Sequence, residues 1–472
     1  MDEQHNPSRP VNPRRRQRTK WEIFKEAYLP VTIAGVAILL IIIFIIGSIV
    51  RSVERANAER DASIAASMSE ADEALRLATE SENLLAEAAV YAEMLDYESA
   101  ISVIDSFSGN INDFPALLNM RNTYAEAQAS MVEWNDPNQV LNLSFQLLIA
   151  DADRAFRDET YGTSYKKNFI TTNEFSAILE QAYANGYMLV RMSDFFAPEE
   201  TEDGDVVYKA ASVYLPEGKK PLILTQTQVN YYNYMTDSNG DLIADKDADG
   251  FANKLIIGDD GKLTNTYVDA QGNSLTGAYD LVPILNQFIS VHPDFSYRGA
   301  KAVLAVTGYD GLFGYRTNPG VEEMLGAEFY QDEIAGAKKI IDALRRDGYE
   351  IACYTYNNEA YGSRGTAQIE ADLQKWKSEV FPILGHTDLL VFARESDIAD
   401  ANTAYNGDKY QVLYNAGFRR FLGFCGNGTS WSVIADDHIR MGRLMVTGSN
   451  LQNHPDWFAS VFDVSAIIDA GR

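Results

Sequence analysis

PLILTQTQVNYYNYM, residues 221–235, opens as a strand covered on both faces and closes in a turn crowded with polar and aromatic side chains. Leu222, Ile223 and Leu224 make the short unbroken apolar run of a buried parallel strand. Thr225, Gln226, Thr227 and Gln228 follow, and then Asn230, Tyr231, Tyr232 and Tyr234. Ligands of parallel β/α proteins bind just past the carboxyl ends of the strands. A pocket is therefore expected at the tip of this stretch.

Similar units surround it. VLNLSFQLLI, YMLVRM, KAVLAVTGYD, EIACYTY, DLLVFARE and RRFLGFCGN read as further strands. Between them run amphipathic helices. Thr171 and Glu174 form a capping box that starts one over EFSAILEQAYA, and Gly186 ends it. EIAGAKKIIDALRRDG makes another, ended by Gly348, and AQIEADLQKWKSEV a third. Apolar strands alternating with helices predict an α/β fold with parallel strands, and their number suggests a (β/α) barrel rather than an open sheet. This domain is expected over residues 136–472, because the composition changes after Trp134-Asn135-Asp136-Pro137.

The N-terminal part reads differently. Residues 1–28 form a basic tail holding Arg14, Arg15, Arg16, Arg18 and Lys20. Residues 29–50 carry no charge and close in LLIIIFIIGSIV, long enough to span a bilayer of about 30 Å as one helix. A cleaved signal peptide is the rival reading. The run is too long for one, and Arg51, Glu54 and Arg55 separate it from the small residues that could be cut. The excess of cations before the span predicts a single-pass cell-membrane protein with its N-terminus cytoplasmic and its C-terminal domain extracellular. Residues 51–135 read as a helical stalk, rich in Ala and Glu. Within it LLAEAAVYAEMLDYESAISVIDSF resembles one tetratricopeptide-type hairpin, in which Leu84, Ala88, Tyr91, Ala100 and Ile104 would interlock. A single repeat builds no solenoid, so the stalk is also a candidate for binding another envelope protein.

With 67 acidic against 40 basic residues, the net charge of −27 excludes nucleic acid as an expected partner. The two cysteines, Cys353 and Cys425, read either as small buried hydrophobes or as one long-range disulfide. Residues 236–280 are an Asp-rich insertion. Asp237, Asn239 and Asp241 alternate, as do Asp245, Asp247 and Asp249 ahead of Gly250. Alternating oxygens in a tight loop suit Ca²⁺. Ile256 stands where an EF-hand places its bidentate Glu, so a repeat-type structural Ca²⁺ loop competes with a plain solvated acidic loop.

From about residue 139 onward, LPEGKKPLILT, VNYYNYM and DFSYRGAKAVLAVTGYDGLFGYRTN resemble the polysaccharide deacetylase (NodB-homology) family, in a membrane-anchored Gram-positive branch. The resemblance implies metal-assisted N-deacetylation of a glycan. One Asp of a T-F-D-D motif serves as base, and the other binds the metal with two His of an H-S-x-x-H motif. In this sequence the first motif falls on Thr225, Gln226, Thr227 and Gln228, and the second on Tyr354, Thr355, Tyr356, Asn357 and Asn358. Both carboxylates and both imidazoles are missing. No transition metal is expected at the family's site, since neutral Thr, Gln, Tyr and Asn do not make a zinc set. A proline-aromatic loop of the family falls near Phe392 to Asp397, with Ala393 at the proline.

Two alternatives stay open beside a glycan-binding, catalytically impaired protein. One is an active carbohydrate deacetylase or other glycan hydrolase with a relocated site, drawing on Asp310, Asp397 or Asp437. The other is an envelope scaffold acting through its stalk. For a glycan, the expected contacts are Asn230, Tyr231, Tyr232 and Tyr356, with Arg316 and Arg394 for an acidic group.

Overall fold

In a computed structural model the chain divides into two compact units, residues 1–82 and 83–472. The structure describes residues 19–23, 25, 29–201 and 206–472, so most of the predicted basic tail lies outside the described residues. The first unit is built on α1 (Leu29–Glu93), whose apolar window has a mean hydropathy of 3.2 and none of it buried. That is long and apolar enough for one membrane crossing.

The second unit begins with the end of α1, α2 (Tyr97–Asp105) and α3 (Pro115–Ala129). Asp96 caps α2 by accepting from Ser99 N at 3.3 Å. Ala88, Ala100 and Ile104 are buried, and Arg121 on α3 pairs with Asp105 at 2.5 Å. This hairpin is fastened to the barrel, since Arg298 N donates to Met94 O at 2.8 Å and its guanidinium pairs with Glu98 at 3.0 Å.

Eight parallel strands follow. They are β1 (Leu141–Phe145), β2 (Tyr187–Leu189), β3 (Lys220–Thr227), β4 (Val303–Val306), β5 (Glu350–Cys353), β6 (Leu389–Val391), β7 (Arg420–Phe424) and β8 (Ile439–Met445). Seven of them close a barrel in the order β1-β3-β4-β5-β6-β7-β8, with β8 returning to β1. β3 is long enough to serve two neighbours on one edge. Its first residues pair with β2 and its last with β4, so β2 fills the lower part of that seam. Alternation along each strand sends Ile223, Val303, Ala305, Leu389, Val391, Leu422 and Met441 into the lumen. Leu222, Leu224, Leu304, Ile351, Leu390 and Phe421 point outward under the helices.

Those helices are α4 (Thr172–Ala184), with its Thr171–Glu174 capping box, α5 (Leu281–Val291), α6 (Ala327–Arg346), α7 (Thr366–Lys375) and α8 (Gly407–Asn415). Gly186 and Gly348 adopt φ of 81° and 95° where α4 and α6 end, the left-handed turn that the sequence reading required of them. Several elements carry no clear sequence signal, and three matter here. β8 is one. The second is a hairpin, Phe196–Glu200 with Val206–Ala210. The third is an antiparallel sheet inside the acidic insertion, Lys254–Ile257, Leu263–Val268 and Ser274–Gly277. Both cysteines are free and buried, which answers the disulfide question.

Candidate functional site at the carboxyl end of the barrel

The loops leaving β3, β5 and β6 hold their backbones in the left-handed region without glycine. Gln228 and Thr355 have φ of 60°, Asn358 of 55°, Arg394 of 52° and Glu395 of 54°. Such conformations cost of order 1–3 kcal/mol each and gather where a chain must present side chains rather than simply turn. These are the same three loops on which the family motifs fall.

Inside the mouth the top layer is polar and neutral apart from one group. Thr225 Oγ1 donates to Asn142 Oδ1 at 2.9 Å, and Thr227 Oγ1 to Phe145 O at 3.2 Å. The exception is Arg443 on β8, whose guanidinium is fully buried. It donates to Ser144 Oγ (3.1 Å), Phe392 O (2.6 Å) and Met445 Sδ (2.8 Å), and its Nε has no partner among the described residues. None of its partners is a carboxylate. A divalent ion brought next to this charge would be repelled by it. Thr225, Thr227, Gln228, Tyr354 and Asn358 supply nothing to offset that. Among the described residues no three His, Cys, Asp or Glu side chains converge. The residues at this end do not fit a catalytic zinc.

The predicted glycan contacts separate into an inner and an outer group, and the inner group must be corrected. Asn230 is buried, its amide donating to Thr307 O at 2.8 Å and accepting from Thr307 N at 3.0 Å. Tyr231 is buried too and donates to Asp280 Oδ2 at 2.7 Å, on a carboxylate that also takes Leu148 N and Gln226 Nε2. Tyr232 shares a hydrogen bond with Thr307 Oγ1 at 3.0 Å, and Tyr356 donates to Glu379. Their rings pack and their polar atoms are spent, so they build the rim from behind.

What faces solvent are Tyr161, Tyr234 and Tyr309, at 41%, 47% and 36% exposure. Tyr234 and Tyr309 each stack on Tyr232, at 5.9 and 5.2 Å with planes 15° and 14° apart. Tyr161 leans on Tyr234 at 5.4 Å. The result is an aromatic terrace anchored on a buried ring. Arg394 stays accessible beside it, its Nε held by Asn358 O at 2.8 Å. Arg316 is buried, with Asp310 at 3.7 Å and Thr236 Oγ1 at 3.3 Å.

The three candidate acids do not meet. Asp310 alone stands at the mouth, accepting from Asn233 N at 2.7 Å, and burial raises its pKa against the pull of Arg316. Asp397 is turned to the outer face of the barrel, bound by Arg440 at 2.9 Å and Tyr405 at 2.5 Å, because Arg440 alternates outward between Ile439 and Met441. Asp437 precedes β8 at the opposite, amino-terminal end and pairs with buried His438 at 2.6 Å.

In the acidic loop the ladder oxygens hold their own backbone. Asp237 accepts from Asn239 N, Gly240 N and Leu242 N at 2.7–2.9 Å, and Asn239 accepts from Asp241 N at 3.0 Å. Asp241 accepts from Ile243 N, and Asp245 from Ser238 N and Asp247 N. Asp249 binds the Tyr165 phenol, and burial pushes its carboxyl up to about 6.

No protein-family profile matches this chain, and no curated protein does. Among solved structures it is similar to the Streptococcus pyogenes deacetylase PplD in complex with acetate, at 12% identity and a TM-score of 0.32, covering 66% of this chain and 96% of that one. It is also similar to BA0330 of Bacillus anthracis, assigned as a polysaccharide deacetylase, at 10% identity and a TM-score of 0.33, covering 72% and 70%.

Proposed function

We propose that this chain is a membrane-anchored, deacetylase-like barrel of the cell envelope that binds cell-wall or surface glycan at its carboxyl end and has lost metal-dependent hydrolysis. In this reading α1 holds it in the cell membrane, N-terminus inside and barrel outside, and the helical hairpin, fastened to the barrel at Arg298, offers its remaining surface to another envelope protein. The observation that carries it is the pairing of an exposed tyrosine terrace with a lumen in which the buried Arg443 guanidinium has no carboxylate partner. Tyrosine faces pack against the apolar faces of pyranose rings while their phenols reach hydroxyls. The buried Arg443 guanidinium, 5.9 Å from the Tyr354 ring, disfavours a bound cation beside it.

The test uses the full chain in detergent and purified Gram-positive cell-wall sacculi. Co-sedimentation is expected, falling at least tenfold in the Tyr234→Ala/Tyr309→Ala double variant, with no acetate released in the presence of Zn²⁺, Mn²⁺ or Co²⁺. Metal-dependent acetate release would overturn the loss of hydrolysis, and undiminished sedimentation of the double variant would overturn the terrace. We also propose structural Ca²⁺ in the loop 237–249, supported by its two alternating ladders. Its expected sign is a higher unfolding midpoint in millimolar Ca²⁺ than in EDTA; equal midpoints would sink it.

A further inference from the structure

The loop that leaves β6 at the mouth does not stay there. Past Arg394 and Glu395 it runs down the outer face of the barrel, wrapped around Arg440 of β8. The Arg440 guanidinium donates to Asp397 Oδ2 at 2.9 Å and to the carbonyls of Ala399 (3.3 Å), Asp400 (3.1 Å) and Thr403. It also lies 4.0 Å from the centre of the Tyr405 ring, whose hydroxyl donates to Asp397 Oδ1 at 2.5 Å. Residues 397–405 thus fold around a fully buried cation.

A histidine fastens the far end of that wrap. His438, 1% exposed and immediately before β8, accepts from Tyr405 N at 3.0 Å through Nε2. Its Nδ1 stands 2.6 Å from Asp437 Oδ1. A main-chain amide nitrogen only donates, and a carboxylate only accepts. The ring is therefore neutral, with its one proton on Nδ1. A second proton would sit on Nε2 and face the Tyr405 N–H, leaving a buried donor against a donor. Tyr405 stacks on the imidazole at 5.2 Å with planes 14° apart, Tyr410 of α8 lies at 4.8 Å and Phe421 of β7 at 6.2 Å. Burial raises the pKa of both phenols, so they stay uncharged. Burial foremost, joined by the charge of Arg440, holds the His438 pKa below its ordinary value, against the pull of Asp437.

We propose that His438 is an acid-sensitive latch on the loop after β6: the neutral ring holds Tyr405, and protonation releases it, unwrapping residues 397–405 and loosening the Arg394 segment at the mouth. The folded protein takes up this proton less readily than the unfolded chain. The latch is therefore whole above about pH 6.5, the ordinary imidazole value, and is lost as the pH falls below it. Weaker glycan binding in acid is the consequence at the mouth, and that consequence alone rests on the reading above.

The test follows amide hydrogen exchange by mass spectrometry on the full chain in detergent at about pH 7.5 and about pH 5, each corrected for the intrinsic rate. Protection of residues 397–406 is expected to fall at least tenfold at the lower pH, with α4 unchanged. In His438→Gln, whose amide oxygen accepts from Tyr405 N at either pH, the fall is expected to vanish. Asp437→Asn removes the group that favours the imidazolium and is expected to move the fall to lower pH. It keeps the test valid if His438→Gln does not fold. Equal protection at both pH values in the parent, or an unshifted fall in both variants, would overturn the latch. Sedimentation with sacculi at the same two pH values reads the consequence separately. Equal sedimentation beside a working latch would overturn its coupling to the mouth, and no sedimentation at either pH would overturn the glycan reading while the latch stands.

Discussion

Arg443 carries its charge in the lumen with two oxygens, a thioether and the Tyr354 ring at 5.9 Å for company, none of them anionic. Burying an ion without a counter-ion is among the costlier arrangements in a protein interior. Arg443→Met keeps much of the stem and removes the charge. It is expected to raise the unfolding midpoint of the full chain by a few degrees, corresponding to about 1–3 kcal/mol. A clear loss of stability would mean that the hydrogen bonds to Ser144 and Phe392 outweigh the desolvation. Nothing in HIRMGRLMV announced this residue, because two arginines in seven positions break the apolar pattern by which buried strands are recognised. The same limit applies to VNYYNYM. Its aromatic character was plain, yet which rings turn inward depends on partners far along the chain, Asp280 for Tyr231 and Thr307 for Tyr232. Tyr161 and Tyr309 complete the terrace from separate loops, and no local spacing links them to Tyr234.

At the level of elements, the strands are legible wherever both faces are covered, since each of β3 to β7 holds an unbroken apolar run such as Leu222, Ile223 and Leu224. Helix ends were readable from their caps, Thr171 at one and Gly186 and Gly348 at others. The sheet within the acidic insertion was not, although Leu263–Val268 alternates perfectly in burial, because its inward residues include Asn265 and it follows a run dominated by Asp. The loop after β4 is the tightest of the mouth. Gly311 has φ of 95°, and a Cβ there would meet Tyr315 O at 2.0 Å. Gly311→Ala therefore combines a strained backbone with a main-chain clash. It is expected to cost about 2–4 kcal/mol and to loosen Asn230, which donates to Gly311 O. Thermal unfolding of the variant checks this, and a midpoint within a degree of the parent would contradict it.

For the whole molecule, the order of anchor, helices and barrel follows from three shifts in composition that need no tertiary information: an uncharged run, an Ala/Glu-rich stretch and a change to alternating strands. The closing seam of the barrel is another matter. β8 joins β1 through Leu444 opposite Leu143, and Arg443 reaches Ser144 across 299 residues. Until the last strand exists, the first has a bare edge, and no shorter intermediate can have the finished ring. At synthesis rates of about 5–20 residues per second, that edge waits roughly 15–60 seconds for its partner. Throughout that interval a half-built barrel presents the bare edge of β1, and synthesis halted before β8 would leave a species open to pairing with a second copy.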